Sequence, residues 1–330
     1  MLSNRMRWTG AIALAAALAA PASVGAQPAQ FPAQPIRIVM PFTPGGPTDM
    51  IARVLAQGLG SRIGQSVIVE NRAGANGIVG TTAVAKAPAD GHTLLLAPTS
   101  HAINPGLYKS LPYNTLRDFR SVIYVGNSPG LVLVVNASSP FNSVRQLVAE
   151  ASRPDSKVAF GSAGIGNITH LAGEVFNRAT GARALHVPYK GAGEILTALY
   201  GGEVQLAFLG PPQAADLMKA KKLKALAVTS ASRIPQLPDI PTIGELGYAD
   251  AEFDGGIQAA IYAPAATPQP VIDKLNAELN AVLADPAVKA RFEPLALNIA
   301  GGPPDALDRK LHSVMERYAR ILRDANIQPE

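Results

Sequence analysis

The chain has 330 residues, of which 48% are hydrophobic and 16% are charged. That composition supports buried cores and excludes an intrinsically disordered chain, and the length suffices for two domains. It contains no cysteine, which excludes disulfides, zinc–thiolate sites and cysteine nucleophiles. The formal net charge of +5 comes from scattered basic residues, so we predict no nucleic-acid-binding surface and only a weak preference for anions.

The N-terminal residues have the pattern of a cleavable secretory signal peptide. Arg5 and Arg7 precede an unbroken apolar run at 11–20, and Val24 and Ala26 place small residues at the −3 and −1 positions. The run is shorter than the ~20 apolar residues that a membrane anchor needs. We expect export by the Sec pathway, cleavage near Ala26 and release into the periplasm, without a lipid anchor because no cysteine could carry one.

Strand and helix patterns alternate in the first part of the mature chain. Short apolar runs predict strands at 36–42, 67–69 and 93–97, and apolar residues at helical spacing predict helices at 50–59 and 78–87. This alternation predicts a parallel sheet with right-handed crossovers.

An interrupted strand marks the place where the chain enters a second series of elements. A strand begins at 122–125, stops at 126–130 and resumes at 131–135, which suits a passage between two lobes. Further strands are predicted at 158–160, 184–187, 206–209 and 225–228, with helices at 143–151, 167–180, 194–200 and 211–220.

The chain then returns to the first lobe. An apolar strand at 257–262 follows the flexible pair Gly255 and Gly256, and helices are predicted at 270–283 and 307–322. The predicted division is a signal peptide at 1–26, a first α/β lobe at 27–127 plus 256–330, and a second α/β lobe at 128–255.

Three strand-to-helix turns place small residues where backbone N–H groups could surround an anion. The turns lie at 44–49, 98–105 and 160–170. Glycine lets the backbone wrap closely, and a helix N-terminus adds favourable partial charge. An ordinary tight turn or a capped helix start explains the same residues, so each turn alone leaves both interpretations open.

No catalytic, cofactor or metal site follows from these turns. The third turn lacks the glycine spacing of a dinucleotide site and the Gly-Lys of a phosphate loop. Ser100 adjoins His101, but neighbours on extended backbone point in opposite directions, and Phe160 replaces the first glycine of a hydrolase elbow around Ser162. An exported serine hydrolase using Ser100 or Ser162 remains the alternative.

Lys190 and the lysines at 219, 221, 222 and 224 have two interpretations each. Lys190, after the strand at 184–187, is either a carboxylate partner or a solvated loop residue. The run that ends at Lys224 is a solvated turn or, as the sharper alternative, a surface that docks on a membrane partner.

Taken together, these segments resemble the Bug-type substrate-binding proteins of tripartite tricarboxylate transporters. The matching motifs lie at 35–49, 69–77, 89–95, 101–105, 160–164, 187–191, 226–230, 237–242 and 263–268. Each motif is weak by itself, but their order is specific and spans nearly the whole mature chain.

The resemblance implies a type II-like periplasmic-binding-protein fold, with two α/β lobes joined by a two-strand hinge and a ligand in the cleft. It implies a small carboxylate ligand, held by turn amides of both lobes, and membrane transporter subunits as partners. The site residues that it implies are Thr43, Gly45, Gly46, Asp49, Ser100 and His101 from the first lobe, and Ser162, Gly164, Asn167, His170 and Lys190 from the second.

Some positions depart from the family pattern. Gln205, Gly210 and Gln258 stand where relatives often carry Asp, an acidic residue and Trp. An acidic group for the ammonium of an amino acid is therefore not evident, which weakens aspartate or glutamate as ligands. We expect a monomeric receptor without enzymatic activity or cofactor, with a ligand sensor for a membrane signalling partner as a further alternative.

Overall fold

Two mixed β-sheets, each flanked by helices, organise the computed structural model, which describes residues 31–249 and 256–329. The strands are β1 (Ile36–Met40), β2 (Val67–Asn71), β3 (Thr93–Pro98), β4 (Phe119–Asn127), β5 (Val132–Asn136), β6 (Ala159–Ser162), β7 (Leu185–Pro188), β8 (Leu206–Leu209), β9 (Leu223–Val228), β10 (Gln258–Pro264) and β11 (Asn298–Ile299). The helices are α1 (Pro47–Ile63), α2 (Ile78–Ala85), α3 (Ser100–Leu107), α4 (Val144–Ala151), α5 (Ile168–Thr180), α6 (Ala192–Gly201), α7 (Pro211–Lys219), α8 (Gln269–Ala284), α9 (Pro286–Phe292) and α10 (Pro304–Asp324).

The first sheet has the order β11-β4-β10-β3-β1-β2. Strand β1 pairs in parallel with β2 and β3, which confirms the parallel arrangement predicted for these three strands. Every residue of β3 is buried, in agreement with its continuous apolar sequence. Strand β10 runs antiparallel to both β3 and β4, so the complete sheet is mixed.

The second sheet has the order β7-β6-β8-β5-β9. Strands β7, β6 and β8 are parallel, and β5 is antiparallel to both of its neighbours. The first lobe is therefore the sheet of β1–β4, β10 and β11 with its helices, and the second lobe is the sheet of β5–β9 with its helices. Together they form the two-lobed α/β architecture of periplasmic binding proteins.

The chain passes between the lobes at two adjacent crossings. The first crossing leads from β4 to β5, and the second leads into β10. Ser128 N donates to Ile257 O at 2.9 Å, and Ile257 N donates to Ser128 Oγ at 2.9 Å, so the crossings are hydrogen-bonded to each other. Gly130, with φ +82°, leaves only 2.8 Å between an added Cβ and Ser230 N, so a side chain is excluded there. The lobe boundaries at 127/128 and 255/256 stay predictions, and residues 250–255 lie outside the described residues.

The sequence predicted extended backbone at Ser100 and His101, in the segment after β3. That prediction is wrong. These residues begin helix α3, although Pro105 lies inside it. Packing explains the helix: an added Cβ on Gly106 would lie 2.8 Å from Leu322 Cδ1, so α3 and α10 are in close contact. Helix α9 and strand β11 were not predicted either, because both are short.

One hydrophobic core contains residues of both lobes. Leu107 and Tyr318 of the first lobe share it with Phe160 and Phe176 of the second, and all four are at most 1% exposed. In the described part of the chain, no helix is long and apolar enough to cross a membrane. The signal-peptide prediction at 1–26 lies outside the described residues.

Candidate functional site

A cleft with a volume of about 230 Å³ lies at the carboxyl ends of the parallel strands, between the two lobes. First-lobe residues that line it include Met40, Phe42, Thr43, Gly46, Thr48, Thr99 and Ser100; second-lobe residues include Leu131, Asn167, Ile168, Lys190, Ile195, Phe208, Gly210 and Gln213. Both lobes therefore contribute to one small site.

Five helices begin at the cleft, because each starts at or next to a lining residue. They are α1, α3, α5, α6 and α7. The first N–H groups of a helix have no intrahelical partner, and the helix dipole places partial positive charge there. Helix α7 contributes less, since its first two residues are prolines without N–H groups. The combined arrangement favours an anion.

Five of the predicted site residues line this cleft: Thr43, Gly46, Ser100, Asn167 and Lys190. Asn167 is the N-cap of α5, where its Oδ1 accepts hydrogen bonds from Thr169 N and Thr169 Oγ1 at 3.0 Å each. The Lys190 side chain is exposed, and within the described residues its ammonium has no protein partner. The cation is therefore available to a ligand.

Asp49 and Gly45 belong to the turn behind the cleft surface. Asp49 is 2% exposed, and its carboxylate accepts hydrogen bonds from Gly45 N, Arg53 and Asn71. Burial opposes ionisation of Asp49, but the hydrogen bonds from Arg53, Asn71 and Gly45 outweigh it and hold the pKa below its usual value. All of these donors are protein groups, so the Asp49 carboxylate is bound within the protein.

His101 points away from the cleft, into the first-lobe core. Successive helical residues are separated by about 100°, so Ser100 reaches the cleft while His101 packs among Tyr113, Phe119 and Tyr262. Burial lowers the pKa of His101 to about 3. Its ring nitrogens have no hydrogen-bond partner in the described structure, and the residue borders a separate cavity of about 20 Å³, enough for one water.

Ser162, Gly164 and His170 belong to a hydrogen-bonded unit beneath the second-lobe turn. Ser162 is completely buried, and its Oγ lies 2.6 Å from His186 Nε2 and 3.1 Å from Gly164 O. His170 Nδ1 accepts a hydrogen bond from Gly166 N at 3.0 Å, and its ring stacks on His186 with centroids 3.8 Å apart. Burial, followed by the charge of His170, lowers the pKa of His186 to about 4.

The Ser162–His186 pair has the distance of a nucleophile and its base, but not the accessibility. Attack on an ester requires an exposed serine oxygen, and Ser162 has no exposed surface. The described residues also contain no group of three or more His, Asp or Glu side chains that could hold a metal ion. The geometry supports binding rather than hydrolysis.

The apolar part of the cleft was not identified from the sequence. Met40, Leu131, Phe208, Leu209 and Ile257 line it, and all five lie in or directly beside strands. An apolar strand residue that faces a cleft has the same pattern as one that faces a core, so no sequence signal separates them. Gln213 lies in a helix and likewise gave no signal.

Comparison with known proteins agrees with this geometry. Residues 51–327 match the model of the tripartite tricarboxylate transporter family receptor. The chain belongs to that family. Its members are periplasmic solute-binding receptors and are generally not enzymes. BugT of Bordetella pertussis is 37% identical over 311 residues, which cover 94% of this chain and 93% of BugT.

Solved structures of this receptor family share the fold. The periplasmic binding protein BugD superposes with a TM-score of 0.83 at 34% identity, covering 91% of this chain and all of that one. A protein of R. palustris, Rpa4515, solved with adipate, superposes with a TM-score of 0.84 at 31% identity, with the same coverage.

Proposed function

We propose that this receptor captures a small organic, dicarboxylic or aromatic acid in the cleft and delivers it to a tripartite tricarboxylate-type membrane transporter. The observation that carries the proposal is the convergence of five helix N-termini from both lobes on one cleft of about 230 Å³. Unpaired helix N–H groups bind carboxylates without a catalytic group. The adipate in a relative of the same fold supports this ligand class.

In the proposed complex, the polar and the apolar residues of the cleft have different roles. The turn that contains Thr43 and Gly46, together with Ser100, holds a carboxylate from the first lobe, and Asn167 and Lys190 contact it from the second. The hydrocarbon part of the acid packs on the apolar side chains of the cleft. None of the described lining residues is Asp or Glu, which disfavours a ligand that carries an ammonium group.

The proposed cellular role follows from export and lobe movement. The chain is secreted by its signal peptide, cleaved near Ala26, and acts as a monomer in the periplasm. The two hydrogen-bonded crossings at Ser128 and Ile257 form the hinge about which the lobes close. Closure buries the acid and creates the surface that the transporter recognises.

Titration calorimetry and thermal unfolding of residues 27–330 test the capture step. Adipate, malate and benzoate are compared with adipamide, which has the length of adipate but no charge, and with aspartate. We expect an acid to bind and adipamide not to bind, with about 2.7 kcal/mol of stabilisation at 100-fold excess over Kd. If none of the acids binds, or if adipamide binds as tightly as adipate, the proposal is wrong.

Uptake of the bound acid by cells tests the delivery step. Deletion of the gene should abolish high-affinity uptake, and the wild-type chain should restore it. A sensor would instead leave uptake intact and abolish induction of genes by the acid. Ester hydrolysis lost on Ser100→Ala or on Ser162→Ala would support the hydrolase alternative.

A further inference from the structure

The Asp49 carboxylate accepts four hydrogen bonds at the start of α1. Oδ2 accepts from Gly45 N at 3.1 Å and from Arg53 Nε at 2.9 Å. Oδ1 accepts from Asn71 Nδ2 at 2.8 Å and from Arg53 Nη2 at 3.2 Å. Both oxygens therefore have two donors, and no acceptor position remains for a ligand.

This group of hydrogen bonds fixes both ends of the first-lobe turn. Asn71 Nδ2, at the end of β2, also donates to Phe42 O at 3.0 Å, while Asp49 holds Gly45 N. Thr43 lies between these two anchors and lines the cleft. The position of the turn thus depends on α1 and β2 together.

Side-chain packing contributes little to this turn. Gly45 has φ +90°, and an added Cβ on Gly45 or on Gly46 would meet no atom within 4 Å. Residues 43–45 are exposed, so this backbone depends on its hydrogen bonds more than on packing. The Asp49 carboxylate is the side chain that supplies the bond on the Gly45 side.

Arg53 acts on the cleft through Asp49 and through Asn71, whose Oδ1 accepts from Arg53 Nη2 at 3.3 Å. It is not a lining residue, and its side chain is 52% exposed. Its guanidinium balances the buried Asp49 charge, which would otherwise repel an anion at the N-terminus of α1. Removal of Arg53 would leave that carboxylate unbalanced close to the site.

We propose that Asp49, Arg53 and Asn71 are positioning residues, which set the first-lobe turn for ligand binding without touching the ligand. The inference rests on the proposed capture of an acid in the cleft. It assigns to Asp49 a role different from the direct contact that the family resemblance implied.

Binding of adipate, or of the acid that binds in its place, is measured for Arg53→Met, Asp49→Asn and the double variant. We expect Arg53→Met to weaken binding about tenfold, because the unbalanced Asp49 charge would repel the anionic ligand. Asp49→Asn still accepts from Gly45 N but has no charge, so the double variant should bind more tightly than Arg53→Met. The matched control is Arg62→Met, on the same helix and paired with Glu278 at 2.8 Å, which should leave Kd unchanged.

Amide hydrogen exchange of Gly45 in the unliganded protein separates this inference from the proposed function. Asp49→Ala should increase the exchange rate of that amide about tenfold or more, whereas Arg62→Met should not. Unchanged exchange at Gly45 overturns the inference whether or not any acid binds. An Arg53→Met variant that binds with wild-type Kd, or a double variant no tighter than Arg53→Met, also overturns it.

Discussion

Gly166 of the second lobe lies directly against Leu107 of the first. A Cβ added to Gly166 would fall 2.0 Å from Leu107 Cδ2, and the glycine has φ +69°. Leu107 ends helix α3, which begins at the cleft with Ser100. The second-lobe turn that contains Gly166 therefore lies between the cleft and the contact of Gly166 with Leu107.

Gly166→Ala should destabilise the protein more than Gly181→Ala. Both glycines have left-handed φ, +69° and +74°, but an added Cβ on Gly181 meets nothing within 4 Å. The backbone cost of about 1–2 kcal/mol is common to both variants, and overpacking against Leu107 adds about 1–3 kcal/mol. Urea denaturation measures the difference in the free energy of unfolding. Equal losses would show that Leu107 moves aside without cost.

Stability should fall as the pH is lowered from about 6.5 towards 4. The pKa of His101 is about 3 and that of His186 about 4 in the folded protein, against about 6.5 in the unfolded chain. In this range the unfolded chain binds protons that the folded protein does not, so the free energy of unfolding decreases with falling pH. Above pH 6.5 the contribution of these two histidines to the free energy of unfolding is fully present.

His101→Phe should reduce that pH dependence. The ring is surrounded by Tyr113, Phe119 and Tyr262, and phenylalanine removes its two unpartnered nitrogens as well as its titration. We expect the loss of stability between pH 7 and 4.5 to be about 2–3 kcal/mol smaller than in the wild type. Denaturation at both pH values measures it. A slope equal to that of the wild type would contradict the buried, neutral imidazole.

Ser162→Ala should reduce stability, whereas Ser100→Ala should weaken acid binding. Ser162 is buried, and its loss leaves His186 Nε2 and Gly164 N without their partner, which costs about 1–3 kcal/mol of stability. Ser100 lines the cleft, so its loss should weaken acid binding with little change in stability. For both variants, calorimetry measures the change in Kd and thermal unfolding measures the change in stability. Weaker binding for Ser162→Ala at unchanged stability would place its hydroxyl in the site.

The sequence predicted the strands and the cleft turns better than the direction of individual side chains. The interrupted strand at 122–135 was sufficient to locate the lobe crossing, because β4 and β5 lie in different sheets. Thr43 and Asn167, which the family resemblance implied, line the cleft in turns whose glycines and caps have local signatures. Asp49 and His170 were placed beside the ligand, yet the structure directs their polar atoms to Gly45 N and Gly166 N. Such direction depends on helix phase and on partners distant in sequence, such as Asn71, which no local pattern contains.

Lys190→Met should weaken acid binding several-fold, and Lys222→Met should not. Both lysines are exposed, but only Lys190 lines the cleft, so the pair separates a ligand contact from a solvated loop residue. An exposed cation and a carboxylate attract each other by about 1 kcal/mol or less, and salt screens that attraction. The difference between wild type and Lys190→Met should therefore shrink as ionic strength rises from 0.01 to 1 M, where the Debye length falls from about 30 to about 3 Å. Calorimetry at both salt concentrations measures this difference; equal Kd values for the two lysine variants would identify Lys190 as a solvated residue that the ligand does not contact.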